Sequence, residues 1–155
     1  MNIEISFYQC DETISKSVAP LLLKVLDENK KALIVAEDQI QIKEIDASLW
    51  SYGKNKFIPH ITIYDKEFAK DFDLKRQPIM ISDKEENINE ADYLVLTKEV
   101  SEGFLSKFSR VFYFYDPLNL DVAKKLAKKY KAKASKFESY KKENGKWIKD
   151  SINVG

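Results

Sequence analysis

The chain has 155 residues, of which 44% are hydrophobic and 33% charged, and its net charge is +1. A chain of this length and composition can bury a sizeable core, so we expect a folded domain rather than a disordered chain. One cysteine and one histidine exclude an internal disulfide and cannot form a four-ligand zinc site without carboxylates, so no structural metal is expected. No apolar run approaches the roughly 20 residues that cross a bilayer, and residues 1–7 lack a signal-peptide pattern. These observations predict a cytoplasmic protein without a membrane partner.

The first predicted elements are a strand and a helix. Apolar and polar residues alternate from Ile3 to Gln9, which is typical of a strand with one buried face. Asp11 or Thr13 can cap the helix that follows. Pro20 either kinks this helix or lies in the first turn of a helix that begins near Ala19.

A second strand and helix repeat this order. The unbroken apolar run from Ala32 to Ala36 predicts a strand covered on both faces. Asp38 is the predicted cap of the next helix, which carries Trp50 near its end and is terminated by Gly53. Alternation of strands and helices predicts a largely parallel sheet with helices packed against it.

The remaining elements are shorter. We predict strands at residues 57–64, 78–82, 93–97 and 110–115, polar loops at 65–77 and 83–90, and a short helix at 104–108. Asp116 and Pro117 begin a further helix, for which we predict a buried stripe of Leu118, Val122 and Leu126.

A hairpin is predicted to end the fold. Asn144-Gly145 is a strong turn signal within residues 136–148. No linker or second-domain boundary is visible. We therefore predict one three-layer α/β/α domain at residues 1–150, with a mostly parallel, mixed central sheet, and a short tail at residues 151–155.

Charge is unevenly spread along the chain. The segment from Lys124 to Lys149 contains eleven lysines and two glutamates, a net charge of +9, so the rest of the chain carries −8. Such a basic segment is compatible with a solvated surface and with a site for an anionic partner, either nucleic acid or an acidic peptide.

The predicted fold lacks the motifs of a nucleotide site. The loop after the first strand, Gln9 to Glu12, has no glycine that would allow the backbone to approach a pyrophosphate, and its two carboxylates would repel one. No Walker-type motif occurs elsewhere. We expect a Rossmann-like fold without a nucleotide site, and no cofactor.

No catalytic constellation is visible either. Cys10 and His60 lie about fifty positions apart without a nucleophile elbow or a paired metal motif. We interpret His60 as a histidine held by a local hydrogen bond and Cys10 as a half-buried apolar side chain. The chain is therefore predicted to be non-catalytic.

Aromatic residues cluster around the end of the second predicted helix. Trp50, Tyr52, Phe57 and Pro59 occur within ten positions. Core packing would explain part of this cluster, but exposed aromatic side chains are favoured at protein interfaces. The cluster is a candidate interface.

Several segments of the chain resemble the chi subunit of bacterial DNA polymerase III. The matching segments cover nearly the full chain, and they are Phe7-Tyr8, residues 31–35 with Glu37-Asp38, Leu49-Trp50-Ser51-Tyr52, Phe57-Ile58-Pro59-His60, Gln77-Pro78-Ile79, Asn87-Ile88-Asn89, residues 93–96 and Gly145-Lys146-Trp147. The segment from Leu49 to His60 is the most specific of these, since the βαβα frame is shared with unrelated families.

The resemblance implies an accessory subunit that links two partners during replication. It implies that Trp50, Phe57, Pro59 and His60 engage the psi subunit, which leads to the clamp loader. Where a psi subunit is absent, this surface could instead meet another protein, such as a repair helicase.

The resemblance also implies a basic pocket on the penultimate helix, residues 123–133, for the acidic, phenylalanine-ending tail of single-stranded-DNA-binding protein. Lys124, Lys128 and Lys131 are the candidate cations, and Tyr130 is the candidate wall of the apolar recess. The family usually has arginine here, whereas this helix has only lysine, which cannot form a bidentate contact with a carboxylate.

Two alternatives remain beside the adaptor. A direct single-stranded nucleic-acid-binding module would use the same lysines, with stacking by Tyr130 or Tyr140. An enzyme built on the α/β frame is the other alternative, although its motifs are missing.

Overall fold

The computed structural model of the protein describes residues 2–53, 57–65 and 73–152. Within these ranges eight strands form one sheet in the order β3-β4-β2-β5-β6-β1-β7-β8. Every neighbouring pair is parallel except β7 with β8. The strands are β1 Glu4–Gln9, β2 Ala32–Val35, β3 Ile61–Thr62, β4 Ile79–Ser82, β5 Tyr93–Leu96, β6 Arg110–Tyr115, β7 Lys136–Glu143 and β8 Lys146–Asp150.

Helices cover both faces of this sheet. The helices are α1 Ile14–Ser17, α2 Ala19–Asp27, α3 Gln39–Ser51, α4 Glu102–Leu105 and α5 Leu120–Lys131. Helices α2 and α3 pack on one face, and α4 and α5 pack on the other. The predicted α/β/α fold with a mixed, mostly parallel sheet is therefore confirmed. None of the helices in the described ranges is both long and apolar enough to cross a membrane.

Helix starts follow the local sequence. Helix α2 begins at Ala19 with Pro20 in its first turn, where a missing backbone donor costs nothing, so the second of the two predicted arrangements is correct. The side chain of Asp38 accepts a hydrogen bond from the backbone N–H of Gln41 at 2.9 Å and caps α3 as predicted. Gly53, beyond the end of α3, has a φ of 66°.

The predicted strand at residues 57–64 is largely wrong. Only Ile61–Thr62 pairs with β4, and a 3₁₀ turn, Ile63–Asp65, follows at once. The carboxylate of Asp65 accepts from the backbone N–H and the hydroxyl of Thr62, at 3.0 and 3.1 Å, which turns the chain out of the sheet. The predicted loop that follows contains another 3₁₀ turn, Leu74–Arg76, and residues 66–72 of that loop lie outside the described residues.

The predicted buried stripe of α5 is also wrong in two positions. Leu118 is 94% exposed and Val122 is 56% exposed, while Leu126 is buried. The cause is a 3₁₀ turn at residues 117–119, capped by the carboxylate of Asp116, which precedes the α-helix. The face of α5 toward the sheet consists of Ala123, Leu126, Ala127 and Tyr130.

The C-terminal hairpin forms as predicted. Asn144 and Gly145 have φ values of 51° and 76°, the positive values that a tight hairpin turn requires. Ile152, in the predicted tail, packs against the core, and its backbone N–H donates to Ser139. Residues 153–155 lie outside the described residues.

Candidate protein interaction surfaces

An exposed aromatic cluster lies at the end of α3. Trp50 is 59% exposed and Phe57 is 65% exposed, and their ring centroids are 5.7 Å apart. The ring of His60 lies 4.9 Å from that of Trp50. Pro59, which directly precedes His60 in the sequence, is half-buried. The structure thus brings Trp50, Phe57 and His60 together, and we call these residues with Pro59 the aromatic patch.

His60 anchors this patch from below. Its side chain is fully buried, with Nδ1 2.6 Å from the carbonyl oxygen of Ile58 and Nε2 2.8 Å from a carboxylate oxygen of Asp46. The predicted local hydrogen bond is the one to Ile58. A carbonyl oxygen only accepts, so Nδ1 carries a proton and donates to Ile58. A carboxylate oxygen also accepts when ionised, so the contact of Nε2 with Asp46 requires a proton between these two atoms. The side chain is therefore fixed in position by two polar contacts.

Sequence reasoning missed Asp46. It lies four residues before Trp50 on α3, so the two side chains share one side of the helix. This spacing of an acidic and an aromatic residue, with a single histidine close downstream, is the pattern that could have indicated the contact.

The second surface is a row of lysines on α5. Lys128 and Lys131 are exposed and Lys124 is half-buried. Within the described ranges none of the three forms an ion pair, whereas two of their neighbours do: Lys129 contacts Glu99 at 2.6 Å and Lys133 contacts Glu102 at 3.4 Å. We call Lys124, Lys128 and Lys131 the lysine row, and its charge is available to an anionic partner.

Tyr130 does not belong to this surface, which corrects the predicted role as a wall of the recess. Its side chain is 0% exposed. The hydroxyl group donates to the carbonyl of Val100 at 3.0 Å and accepts from the backbone N–H of Val100 at 2.9 Å. Burial raises the pKa of Tyr130 to about 12. The residue lies on the inner face of α5, one turn after the buried Ala127, so it serves the core.

Tyr140 is also engaged within the protein. Its ring stacks on that of Tyr8 at a centroid distance of 5.2 Å with an interplanar angle of 13°. Its hydroxyl donates to Glu138. Tyr130 is buried and therefore offers no platform for a nucleic-acid base, whereas Tyr140 has one ring face covered by Tyr8.

Cys10 lies in the core rather than at a surface. It is 1% exposed, and burial raises the pKa of its thiol to about 11. A neutral, enclosed thiol is a poor nucleophile. The half-buried position predicted for it is therefore corrected to a fully buried one.

Comparison with known proteins identifies the family. The family model described as DNA polymerase III chi subunit, HolC, matches residues 2–138. The chain is also 32% identical over 90 residues to a protein of Rickettsia prowazekii (strain Madrid E) named Probable DNA polymerase III subunit chi. That alignment covers 58% of this chain and 51% of the Rickettsia protein, so the chain spans about half the length of this relative. The chain belongs to the DNA polymerase III chi subunit family.

Proposed function

We propose that this chain is a non-catalytic accessory subunit of the DNA polymerase III holoenzyme that holds two partner proteins during replication. Family membership supports the replication role. The observation that carries the adaptor role is the placement of the two surfaces: the aromatic patch follows α3 on one face of the sheet, and the lysine row lies on α5 on the other. Partners bound at these surfaces would not compete for one site.

The aromatic patch is proposed to bind the psi subunit or an equivalent protein on the clamp-loader side. Because Trp50 and Phe57 are exposed, a large apolar area contacts water. An interface would bury this area at a small cost in side-chain entropy, since aromatic side chains have few rotatable bonds. His60 and Asp46 hold this patch in one arrangement, which lowers the ordering cost of binding. A repair helicase is the alternative partner for the same surface.

The lysine row is proposed to bind the acidic, phenylalanine-ending tail of single-stranded-DNA-binding protein. Lys124, Lys128 and Lys131 supply three cations without internal partners among the described residues. With Tyr130 in the core, the terminal phenylalanine of the tail would rest on the aliphatic stems of these lysines. Lysine contacts carboxylates as a point charge, so several contacts must act together.

A titration with two fluorescent probes tests this proposal. A labelled acidic peptide that ends in phenylalanine and a labelled single-stranded DNA of equal net charge are added separately to the full chain. The adaptor role predicts tighter binding of the peptide at physiological salt, with a clear loss when its last residue is removed. Tighter binding of the DNA, or indifference to the terminal phenylalanine, would reject the peptide site in favour of a phosphate-binding surface.

A further inference from the structure

A crevice of about 230 Å³ opens at the carboxyl edge of the sheet. Three carboxylate residues line it, and each follows a different one of the neighbouring strands β2, β5 and β6: Glu37, Glu99 and Asp116. Ligands of open α/β sheets bind at this edge, beyond the carboxyl ends of the strands. The lining charge is opposite to that of a nucleotide site, because carboxylates repel phosphate.

A buried tyrosine presents an unpaired hydroxyl group to this crevice. Tyr113, in β6, is only 3% exposed and lines the crevice. Its hydroxyl group has no hydrogen-bond partner in the part of the chain that the structure describes. Burial first, and then the charges of Glu37, Glu99 and Asp116, raise its pKa to about 12. A neutral hydroxyl and three carboxylates therefore converge on one small space.

Two lysines offset part of the negative charge of the crevice. Lys98 lines the crevice, and its ammonium group donates to the backbone carbonyl of Asp83 at 2.7 Å. Glu99 is paired with Lys129. In the described ranges, Glu37 and Asp116 have no cationic partner. The crevice therefore retains negative charge that an incoming cation could match.

Apolar residues stand beside the crevice. Val122 lines it and is 56% exposed. Leu118, four residues earlier in the turn that leads into α5, is 94% exposed. These are the two residues that sequence periodicity assigned to the core. Their exposure beside an anionic crevice fits a ligand with both a cationic and an apolar part.

We propose that this crevice binds a lysine or arginine side chain of a partner protein, whose apolar neighbour rests on Val122 and Leu118. The carboxylates accept hydrogen bonds from the cationic group, and a guanidinium can engage more than one of them. The Tyr113 hydroxyl accepts a further bond. This site is separate from the aromatic patch and the lysine row, so it adds a third contact to the proposed adaptor.

The experiment is a nuclear magnetic resonance titration of the full chain with a capped Leu-Arg-Leu tripeptide. A matched tripeptide with citrulline in place of arginine has nearly the same shape without the charge. We expect the arginine peptide to shift the backbone signals of Glu37, Asp116 and Val122, and to bind about tenfold more tightly than the citrulline peptide. Glu37→Gln should weaken arginine binding about threefold to fivefold, because an exposed charge pair is lost.

Two further variants test the role of the Tyr113 hydroxyl group and the effect of a charge outside the crevice. Tyr113→Phe keeps the ring and removes only the hydroxyl, so weaker binding is expected there as well. Glu44→Gln, an exposed position on α3 outside the crevice, should leave binding unchanged. Equal binding of the arginine and citrulline peptides, or equal effects of Glu37→Gln and Glu44→Gln, would overturn the proposal. If Tyr113→Phe fails to fold, the comparison of Glu37→Gln with Glu44→Gln decides alone.

Discussion

His60 and Asp46 join the segment before β3 to helix α3 through a contact of 2.8 Å between Nε2 and a carboxylate oxygen. The histidine side chain is fully buried, while the carboxylate is 34% exposed. The same ring packs 4.9 Å from Trp50. The exposed aromatic patch is therefore built on a buried polar contact, and its shape depends on that contact.

Asp46→Ala is expected to destabilise the fold. Removal of the carboxylate leaves a buried imidazole nitrogen without a partner, at a cost of about 1–3 kcal/mol. Asp46→Asn should cost less, since an amide can donate to an unprotonated Nε2. Urea unfolding followed by tryptophan fluorescence measures both, with Glu44→Ala as the control on the same helix. An effect of Asp46→Ala no larger than that of the control would show that the contact contributes nothing.

Trp50→Ala and Phe57→Ala are expected to reduce binding of the clamp-loader-side partner while they leave acidic-tail affinity unchanged. Truncation of a buried aromatic residue costs about 3–5 kcal/mol, whereas these residues are more than half exposed and should cost less than about 1 kcal/mol. Copurification with the partner measures binding, and thermal unfolding measures stability. Ile40→Ala, 69% exposed at the start of α3, is the control. A large fall in melting temperature would instead assign Trp50 to the core.

The sequence was sufficient where one physical effect dominates. Strand β2 is an uninterrupted apolar run because both of its faces are buried, and Asp38 caps α3 because a carboxylate there can accept from a free backbone N–H. The hairpin at Asn144-Gly145 follows from residues that tolerate positive φ. The cap and the hairpin turn depend on interactions within a few residues, and β2 is recognisable from its own apolar composition.

Prediction failed where the local pattern had to be combined with tertiary geometry. The periodicity of α5 allowed Leu118 and Val122 to be core residues, but the 3₁₀ turn capped by Asp116 changes where the α-helix starts. Small residues, Ala123 and Ala127, then face the sheet, and Tyr130 enters the core beside them. The lysine row could be predicted from charge. The buried position of Tyr130 could also have been predicted, because this residue lies four positions after Leu126 and continues the buried stripe of the helix.

Alkaline pH should destabilise the fold through buried tyrosines. Burial raises the pKa of Tyr113, Tyr115 and Tyr130 to about 12, from an ordinary value of 10.0. Above pH 10 the unfolded chain loses protons that the folded chain retains, so unfolding becomes more favourable as pH rises to 12. Below pH 10 these tyrosines are protonated in both the folded and the unfolded chain, so their contribution to the free energy of unfolding is fully present.

The measurement is the unfolding free energy in urea across this pH range, for the natural chain and for Tyr113→Phe. This variant removes one shifted phenol whose hydroxyl has no partner in the described ranges, so its fold should persist. The free energy of unfolding of this variant should fall less steeply with pH than that of the natural chain, and the difference in slope should correspond to about one proton. Identical slopes would mean that Tyr113 titrates normally in the folded protein.

Charge reversal at Lys128 and Lys131 together should abolish binding of the acidic tail. Each exposed lysine–carboxylate pair contributes only about 0.2–1 kcal/mol, so a single change should have a small effect, while reversal of two charges adds repulsion to the loss of two contacts. Fluorescence titration with the labelled peptide measures this effect, and rising salt should weaken the natural contact in the same assay.

The matched control for this prediction reverses Lys24 and Lys43, exposed lysines of α2 and α3 on the opposite face of the sheet. Both double variants change the net charge of the chain equally, so a general electrostatic effect would weaken the peptide equally in both. A site on α5 requires that Lys128→Glu with Lys131→Glu abolishes binding while the control retains most of it. Removal of the terminal phenylalanine from the peptide should cost more than either single lysine change, because burial of that side chain contributes more free energy than one exposed ion pair. A truncated peptide that binds as well as the intact one would show that the lysine row attracts any anion and selects no tail.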